Sequence, residues 1–462
     1  MRVVSKFGGS VLRDVEGYRK AAQIVKELLN DTENEVVVVV SAMKGITDSL
    51  LRVSENPHRG WREYLRALQR RHERVLDQLN ADEKWKESLR ELFDNLNKVL
   101  WALEILKEST PRTKDYILSF GERSSSVLMA AALESVGIDA EPVFPERLGI
   151  YVEGEPPNVT ILYDMTFEKV RENLGSILSE GRIPVATGFL GINIEGVITN
   201  LGRGGSDLTA TILGAALNAD EVRLYTDVDG IKTANPREFK EAVTIPELSL
   251  YEAIELARLG AKRLHPKTFE PLLRRPTDVR ILSLYNPHGS STLISYKKQG
   301  PNLKAVAVMN DLALISVKGV GMVEMKGTAA KVMEACAKVG ANIYAISQPI
   351  SETSITIAVN KGFTDIVAKA VKNSLGLYGI DVEVDIKPDV SAVSIVGKGL
   401  EEPTYVSNVL RELPNEPVLL VTKGPSDLSL TIFTTHRAAR SIASSFHKAI
   451  LKEMEKYYGV AK

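Results

Sequence analysis

The sequence predicts an α/β chain with a mainly parallel sheet flanked by helices, followed by two smaller α+β units of the ferredoxin-like kind. Three observations carry this. Val36–Val40 is an unbroken β-branched run, the mark of a strand covered on both faces. From Met1 to about Tyr296, short apolar runs alternate with helical patterns, and strands separated by helices pair in parallel through crossovers. After Tyr296 the order changes to strand, helix, strand, strand, helix, and a degenerate copy of that order follows.

Taken in order, Arg2–Ser10 reads RVVSKFGGS, a strand that closes on a glycine turn with Lys6 ahead of Gly8, Gly9 and Ser10. A strand, a glycine turn and a helix together bring backbone amides and a helix N-terminus to an anion. The stretch lacks the Gly-Lys-Ser/Thr end of a P-loop and the GxGxxG dinucleotide fingerprint, so a different phosphate-binding fold is expected. Val36–Val40 runs into the turn residues Ser41–Thr47. Residues 60–108 form a heavily charged helical insert, about two helices broken near Asn80–Asp82. Its charges predict a solvated face, and an insert beside a substrate site also suits a lid. Further strands are expected at Pro184–Ala186 and Glu221–Thr226, and helices at Asp207–Leu217 and Leu248–Leu259.

The first domain is expected to span 1–296 and a linker, containing KKQGPNLKAV, 297–311. The first small unit, 312–380, has strands at Leu312–Lys318, Asn342–Ser347 and Thr353–Val359 and helices at Gly327–Val339 and Asp365–Ser374. The second, 381–462, repeats the order with Ala392–Gly397, Thr404–Leu413, Val418–Thr422, Leu428–Thr434 and Ala438–Lys452, and VKGVG in one echoes VGKGL in the other.

At 462 residues the chain suggests several domains, and 58 basic against 59 acidic residues argue against nucleic acid or a membrane surface as an obligatory partner. A small molecule or a protein fits better. The single Cys336, in TAAKVMEACAKVG, reads as a small apolar helix residue and excludes disulfide stapling within the chain. With no signal-peptide pattern and no apolar run long enough to span a bilayer, a cytoplasmic location is expected.

The most informative stretch is Asn200–Asp207, NLGRGGSD. Its glycines open backbone amides to phosphate oxygens, Arg203 is a two-pronged donor for carboxylate or phosphate, and Asp207 can orient cations or a reacting hydroxyl.

Together with KFGGS, VVSAMKGITDSL (39–50), SFGERSSSVLMAAAL (119–133), TGFLGINIEGVITNLGRGGSD (187–207), YTDVDGIKTANPR (225–237) and GAKRLHPKT (260–268), it resembles the aspartate kinases of the amino-acid kinase superfamily. The two C-terminal units resemble ACT domains, regulatory modules that bind small effectors. The resemblance implies phosphorylation of the aspartate β-carboxylate by ATP with Mg2+, giving 4-phospho-L-aspartate, the first step toward lysine, threonine and methionine. It also implies feedback control and a homodimer or larger assembly through the ACT units. No residue is assigned to the metal.

Carried over onto this sequence, Lys6 and Lys262 resemble the family's phosphate lysines, and Asp207 resembles the organiser of the transfer site. A carboxylate acceptor is already ionised, so no strong general base is required. Gly8, Gly9 and Ser10 would meet the phosphates, and Thr226, Asp227, Lys232 and Arg237 the nucleotide. Ser41, Thr47, Glu122, Phe189, Arg203 and Ser206 would hold the amino acid, with Glu122 on its ammonium and Arg203 on its carboxylate. In the first ACT unit, Met322, Asn342, Ser347, Gln348 and Glu352 would hold an effector. His265 reads as structural.

The chain departs from the family pattern in three places: KFGGS is one residue shorter than KFGGTS, Asn200 stands where threonine is usual, and TANPR replaces TADPR. A homoserine kinase on the same scaffold and a catalytically silent amino-acid sensor are the alternative readings.

Overall fold

The computed structural model describes residues 1–30, 34–55, 60–155, 158–260, 265–297, 300–423 and 428–459. They form two compact units. The first holds Met1–Ile231, Thr244–Ile254 and the described part of 263–299. The second holds Lys232–Val243 and the described parts of 255–262 and 300–462. The expected continuous first domain of 1–296 is thereby corrected, because 232–243 and 255–260 pack within the second unit. Thr233 shows the cause: its carbonyl accepts the Val306 amide at 2.8 Å and its hydroxyl meets His447 Nε2 at 2.9 Å, both in the second unit.

The strands of the first unit are β1 (Arg2–Phe7), β2 (Glu35–Val40), β3 (Ala140–Val143), β4 (Val152–Glu155), β5 (Asn158–Ile161), β6 (Ile183–Thr187), β7 (Leu190–Ile192), β8 (Ile198–Asn200), β9 (Glu221–Thr226), β10 (Glu247–Ser249), β11 (Asp278–Ser283) and β12 (Thr292–Ser295). Eight of these make one sheet in the order β10-β12-β11-β9-β1-β2-β6-β3, with only β11 and β12 antiparallel. β4 with β5 and β7 with β8 form separate antiparallel pairs. Val36–Val40 is fully buried, as an unbroken β-branched run in a doubly covered strand requires. β1 lies centrally, paired in parallel with β2 and β9. Its C-terminal end opens where ligands of parallel sheets collect, beside a change of direction in strand order.

The helices are α1 (Val15–Asn30), α2 (Ile46–Glu55), α3 (Trp61–Leu79), α4 (Glu83–Leu106), α5 (Pro111–Glu134), α6 (Pro145–Leu148), α7 (Tyr163–Ser179), α8 (Gly205–Leu217), α9 (Leu250–Arg258) and α10 (Glu270–Arg274). α5 starts with Pro111 at its first turn, and the Thr110 hydroxyl accepts the Thr113 amide at 3.2 Å. From Ile117 to Leu133 it is buried on all sides, and its small Ser, Ala and Gly residues let neighbours approach closely. A Cβ on Gly121 would stand 2.9 Å from the Ala42 side chain, so glycine lets the loop after β2 rest against α5.

The insert is not a free-standing lid. α3 and α4 present charges outward, as expected, but Leu65, Leu68, Leu76, Leu89, Leu96 and Leu100 are buried in the same apolar cluster as Val38 and Leu128. The break falls at Asn80, whose φ of 52° is left-handed and whose amide donates to Asp77 O at 3.1 Å.

In the second unit, β13 (Ala305–Lys318), β14 (Ile343–Ser347), β15 (Ser354–Asn360), β16 (Glu383–Val396), β17 (Leu420–Thr422) and β18 (Ser429–Thr435) make one antiparallel sheet ordered β14-β15-β13-β16-β18-β17. α11 (Thr328–Lys338), α12 (Thr364–Gly376), α13 (Pro403–Arg411) and α14 (His436–Tyr458) are its helices. Each central strand serves both halves: Leu314–Lys318 pairs with Glu383–Lys387, and Ala305–Met309 pairs with Ala392–Val396. The register shifts between Met309 and Leu314, a stretch where Asp311 takes a φ of 61°. The expected linker of 297–311 is therefore corrected, because 305–311 is strand and supplies an edge that the second half lacks on its own. Cys336 is buried on α11, and burial raises its thiol pKa, in keeping with an apolar helix residue. No helix among the described residues is long and apolar enough to cross a membrane.

Because α4 is part of the core, Leu96→Ala, at a site 1 % exposed, is expected to cost roughly 2–5 kcal/mol of unfolding free energy in a urea titration. A loss under about 1 kcal/mol would mean that the insert is only loosely attached.

Candidate active site

The site forms at the C-terminal end of β1. Lys6 faces inward from this strand and is 7 % exposed, and its Nζ lies 2.5 Å from Asp207 in the first turn of α8. A buried cation persists when a carboxylate is at hand to compensate its lost hydration. Past Phe7 the chain turns tightly, and a Cβ at Gly9 would stand 2.8 Å from the Ala42 carbonyl, so only glycine lets this turn meet the loop after β2. A Cβ at Gly8 would crowd Lys6 Nζ at 3.1 Å.

The loop into α8 is built on the same logic. Gly202 and Gly204 take φ values of 80° and 74°, and a Cβ on Gly205 would meet the Phe189 ring at 2.8 Å. Phe189 itself is left-handed, with a φ of 69°, an uncommon state for an aromatic residue. It is held there by its amide donating to Thr209 Oγ1 at 3.1 Å and its carbonyl accepting from Leu201 at 2.8 Å.

Glu122 on α5 is 3 % exposed. Its Oε1 accepts the Ala42 amide at 3.1 Å, while among the described residues Oε2 is buried without a hydrogen-bond partner. Burial pushes its pKa from 4.5 up to about 8, against the lowering effect of the Ala42 amide. A half-satisfied buried carboxyl is a costly arrangement that a cationic ligand would relieve.

One cleft of 760 Å³ brings most of the expected residues together: Lys6, Gly9, Ser10 and Asp207 toward the β1 turn, and Ser41, Thr47, Glu122, Phe189, Arg203 and Ser206 around the remainder. Sequence reasoning misses three further polar side chains of the lining, Lys44, Asp48 and Asn200, and the apolar Ala42 and Met43. Lys44 and Asp48 both stand within the quoted VVSAMKGITDSL segment, Lys44 in its turn and Asp48 just beyond it in the first turn of α2. Asn200 heads NLGRGGSD, where the family pattern has threonine, and has no ligand role in the sequence reading.

Other expectations fall elsewhere. Thr226 Oγ1 closes a turn on Val228, accepting its amide and donating to its carbonyl, both at 3.0 Å. Asp227 pairs with Arg13 at 3.6 Å, and Arg13 Nε donates to the Ser10 carbonyl at 2.5 Å, which ties the first glycine turn to the end of β9. Lys232 and Arg237 belong to the second unit. Lys262 lies outside the described residues. His265 Nδ1 accepts the Lys267 amide at 3.4 Å, and a Cβ on Gly204 would stand 2.6 Å from the His265 Cβ. In the second unit, Met322, Gln348 and Glu352 line a cavity of 680 Å³, whereas Asn342 and Ser347 do not.

Residues 1–283 match the Amino acid kinase family, and residues 315–375 match the ACT domain. The chain belongs to the amino acid kinase family. It is 28% identical to the chloroplastic bifunctional aspartokinase/homoserine dehydrogenase 1 of Arabidopsis thaliana, over 96% of this chain and 51% of that protein. It thus spans about half the length of that relative. It is 27% identical to chloroplastic aspartokinase 1 of the same plant, over 97% of this chain and 80% of that protein. The structure of E. coli aspartokinase III in complex with aspartate and ADP superposes with a TM-score of 0.80 at 27% identity, covering 97% of this chain and 99% of that one. The lysine and aspartate complex of the same E. coli protein gives 0.78, with the same identity and coverage.

The Glu122 shift fixes a sign. A carboxyl whose folded pKa lies above its unfolded value binds the proton more tightly when folded, so its contribution to stability is greatest below the unfolded pKa and falls as pH rises toward the folded one. Between about pH 4.5 and 8 the unliganded protein should therefore lose stability through this group. Comparing urea midpoints of wild type and Glu122→Gln across that range should show the variant gaining relative stability as pH rises. A constant difference would mean that Glu122 titrates normally.

Proposed function

We propose that the chain phosphorylates the β-carboxylate of L-aspartate with ATP, giving 4-phospho-L-aspartate, the first step toward lysine, threonine and methionine. The observation that carries this reading is the pairing, in one cleft, of an ion pair between the buried Lys6 and the half-buried Asp207 with Glu122 and its unpartnered oxygen. Such a site offers a fixed cation for a phosphoryl group and a latent anion for an ammonium group. The names of the aspartokinase relatives and the aspartate and ADP bound by the E. coli protein support the same choice.

ATP with Mg2+ supplies the phosphoryl group and part of the charge neutralisation. Among the described residues no cluster of three or more His, Cys, Asp or Glu gathers, and an ion held chiefly by phosphate oxygens and water needs none. The close turn at Gly9 and the amides around Ser10 suit phosphate oxygens. Lys6 Nζ, fixed by Asp207, holds a point charge where negative charge spreads during transfer. Asp207 orders that lysine rather than removing a proton. Arg203 grips the α-carboxylate, Ser41, Thr47 and Ser206 complete the hydrogen bonding, and Phe189 walls the pocket. Glu122 releases its proton from the buried carboxyl to solvent as the already protonated α-ammonium group arrives and takes the proton's place as its counter-charge.

The second unit fits an effector role. The cavity bounded by Met322, Gln348 and Glu352 suits a small amino acid, and exposed Tyr344, Ile346 and Ile350, on or just beyond the edge strand β14, suit a second copy of the chain. An effector that binds the less active arrangement more tightly shifts the population toward it.

Coupled measurement of ATP consumption tests the reading. Turnover is expected with aspartate, none with homoserine, and inhibition by at least one of lysine, threonine and methionine. Turnover with homoserine alone would transfer the site to a hydroxyl acceptor, and none with either amino acid would favour a silent sensor.

A further inference from the structure

We propose that Asp115 is a positioning residue for amino-acid recognition: through Asn200 it sets the loop that carries Arg203. The proposal rests on the reading of Arg203 as the α-carboxylate grip.

Asp115 stands two helical turns before Glu122 on α5, which places both carboxyl groups on one face of a single buried helix. It is 4 % exposed and lies outside the cleft lining, so it does not touch ligand directly. Its two oxygens accept three hydrogen bonds from the end of β8. Oδ2 accepts from Thr199 Oγ1 and from the Asn200 amide, each at 2.9 Å, and Oδ1 accepts from Asn200 Nδ2 at 2.5 Å. Asn200 then turns its own Oδ1 to the Gly202 amide at 2.9 Å. That amide opens the left-handed Gly202 turn, and Arg203 is the next residue. The relay therefore runs from a rigid buried helix, through one amide side chain, to the backbone that aims the arginine.

The direction of every bond in the relay is fixed. Asp115 only accepts, so Asn200 must offer Nδ2 to it and Oδ1 to Gly202. This gives a physical role to Asn200, one of the places where the chain departs from the aspartate kinase pattern. It also makes the relay testable by inversion. With Asp115→Asn, one amide oxygen can still serve the Asn200 backbone, but the new NH2 then faces Asn200 Nδ2. Flipping the Asn200 amide only moves the clash to the Gly202 N–H, leaving two donors opposed whichever way it turns. Adding Asn200→Asp restores a full set: the amide introduced at position 115 donates to one oxygen of the carboxylate introduced at position 200, and the other oxygen accepts from Gly202.

The experiment compares wild type, the Asp115→Asn single variant and the Asp115→Asn/Asn200→Asp double variant by steady-state kinetics and by amide hydrogen exchange over 202–205. The single variant is expected to raise KM for aspartate by roughly tenfold or more while KM for ATP stays within about twofold. It should also speed exchange in the loop, and the double variant should reverse both effects. An aspartate KM within about twofold of wild type, or equal rises in both KM values with no recovery in the double variant, would overturn the proposal. If wild type does not use aspartate, the amino-acid reading fails by itself. The positioning claim is then judged by exchange alone, and unchanged loop protection in the single variant would end it.

Discussion

A lysine in the central strand of a doubly covered sheet is an expensive residue to place, and the active site is arranged around the way that cost is met. Lys6 lies between β2 and β9, where its β1 neighbours Val4 and Phe7 are fully buried. Asp207 compensates it at 2.5 Å from the first turn of α8. Because the partner sits on a helix N-terminus, the same contact that neutralises Lys6 also draws the glycine loop before α8 over the end of the sheet. The tight turn at Gly9 and the left-handed turns at Gly202 and Gly204 are what allow that approach. Losing Asp207 would leave the buried Lys6 charge uncompensated, so the fold of the cleft depends on this pair.

The opposite side of the cleft is organised differently. Glu122 is buried with one oxygen satisfied and one not, and its proton is held up to about pH 8. The cleft therefore joins a permanent cation, already paired, to an anion that exists only once a partner arrives. An amino acid bears both signs of charge, and an acceptor of that kind meets each requirement. Phe189 adds rigidity at the cost of a strained backbone, held by Thr209 and by the strand pair that leads to Asn200.

Much of this was legible in the sequence where a single local pattern carried the information. The buried run Val36–Val40 gave its strand, and NLGRGGSD and KFGGS gave the two glycine turns that converge on Lys6. What depended on long-range pairing was not legible. Ala305–Asp311 reads as the tail of the linker, yet it is strand because β16 offers it an edge. Residues 232–243 come soon after β9 in the chain but belong to the second unit through Thr233. The insert's charges described its outer face correctly and concealed the leucines beneath. Asn200 looked like a deviation until Asp115, far away in sequence, supplied its partner.

Phosphoryl transfer to the side-chain carboxylate of an amino acid gives an acyl phosphate, and that product has a distinctive reactivity. Hydroxylamine attacks an acyl phosphate and releases phosphate to leave a hydroxamate, whereas a phosphate ester on a hydroxyl group does not react in this way. Incubating the full chain with ATP, Mg2+, L-aspartate and hydroxylamine should yield the β-hydroxamate of aspartate in amounts matching the ADP formed, with formation abolished in Lys6→Ala. ADP formed from aspartate without any hydroxamate, or hydroxamate formation undiminished without Lys6, would contradict the account.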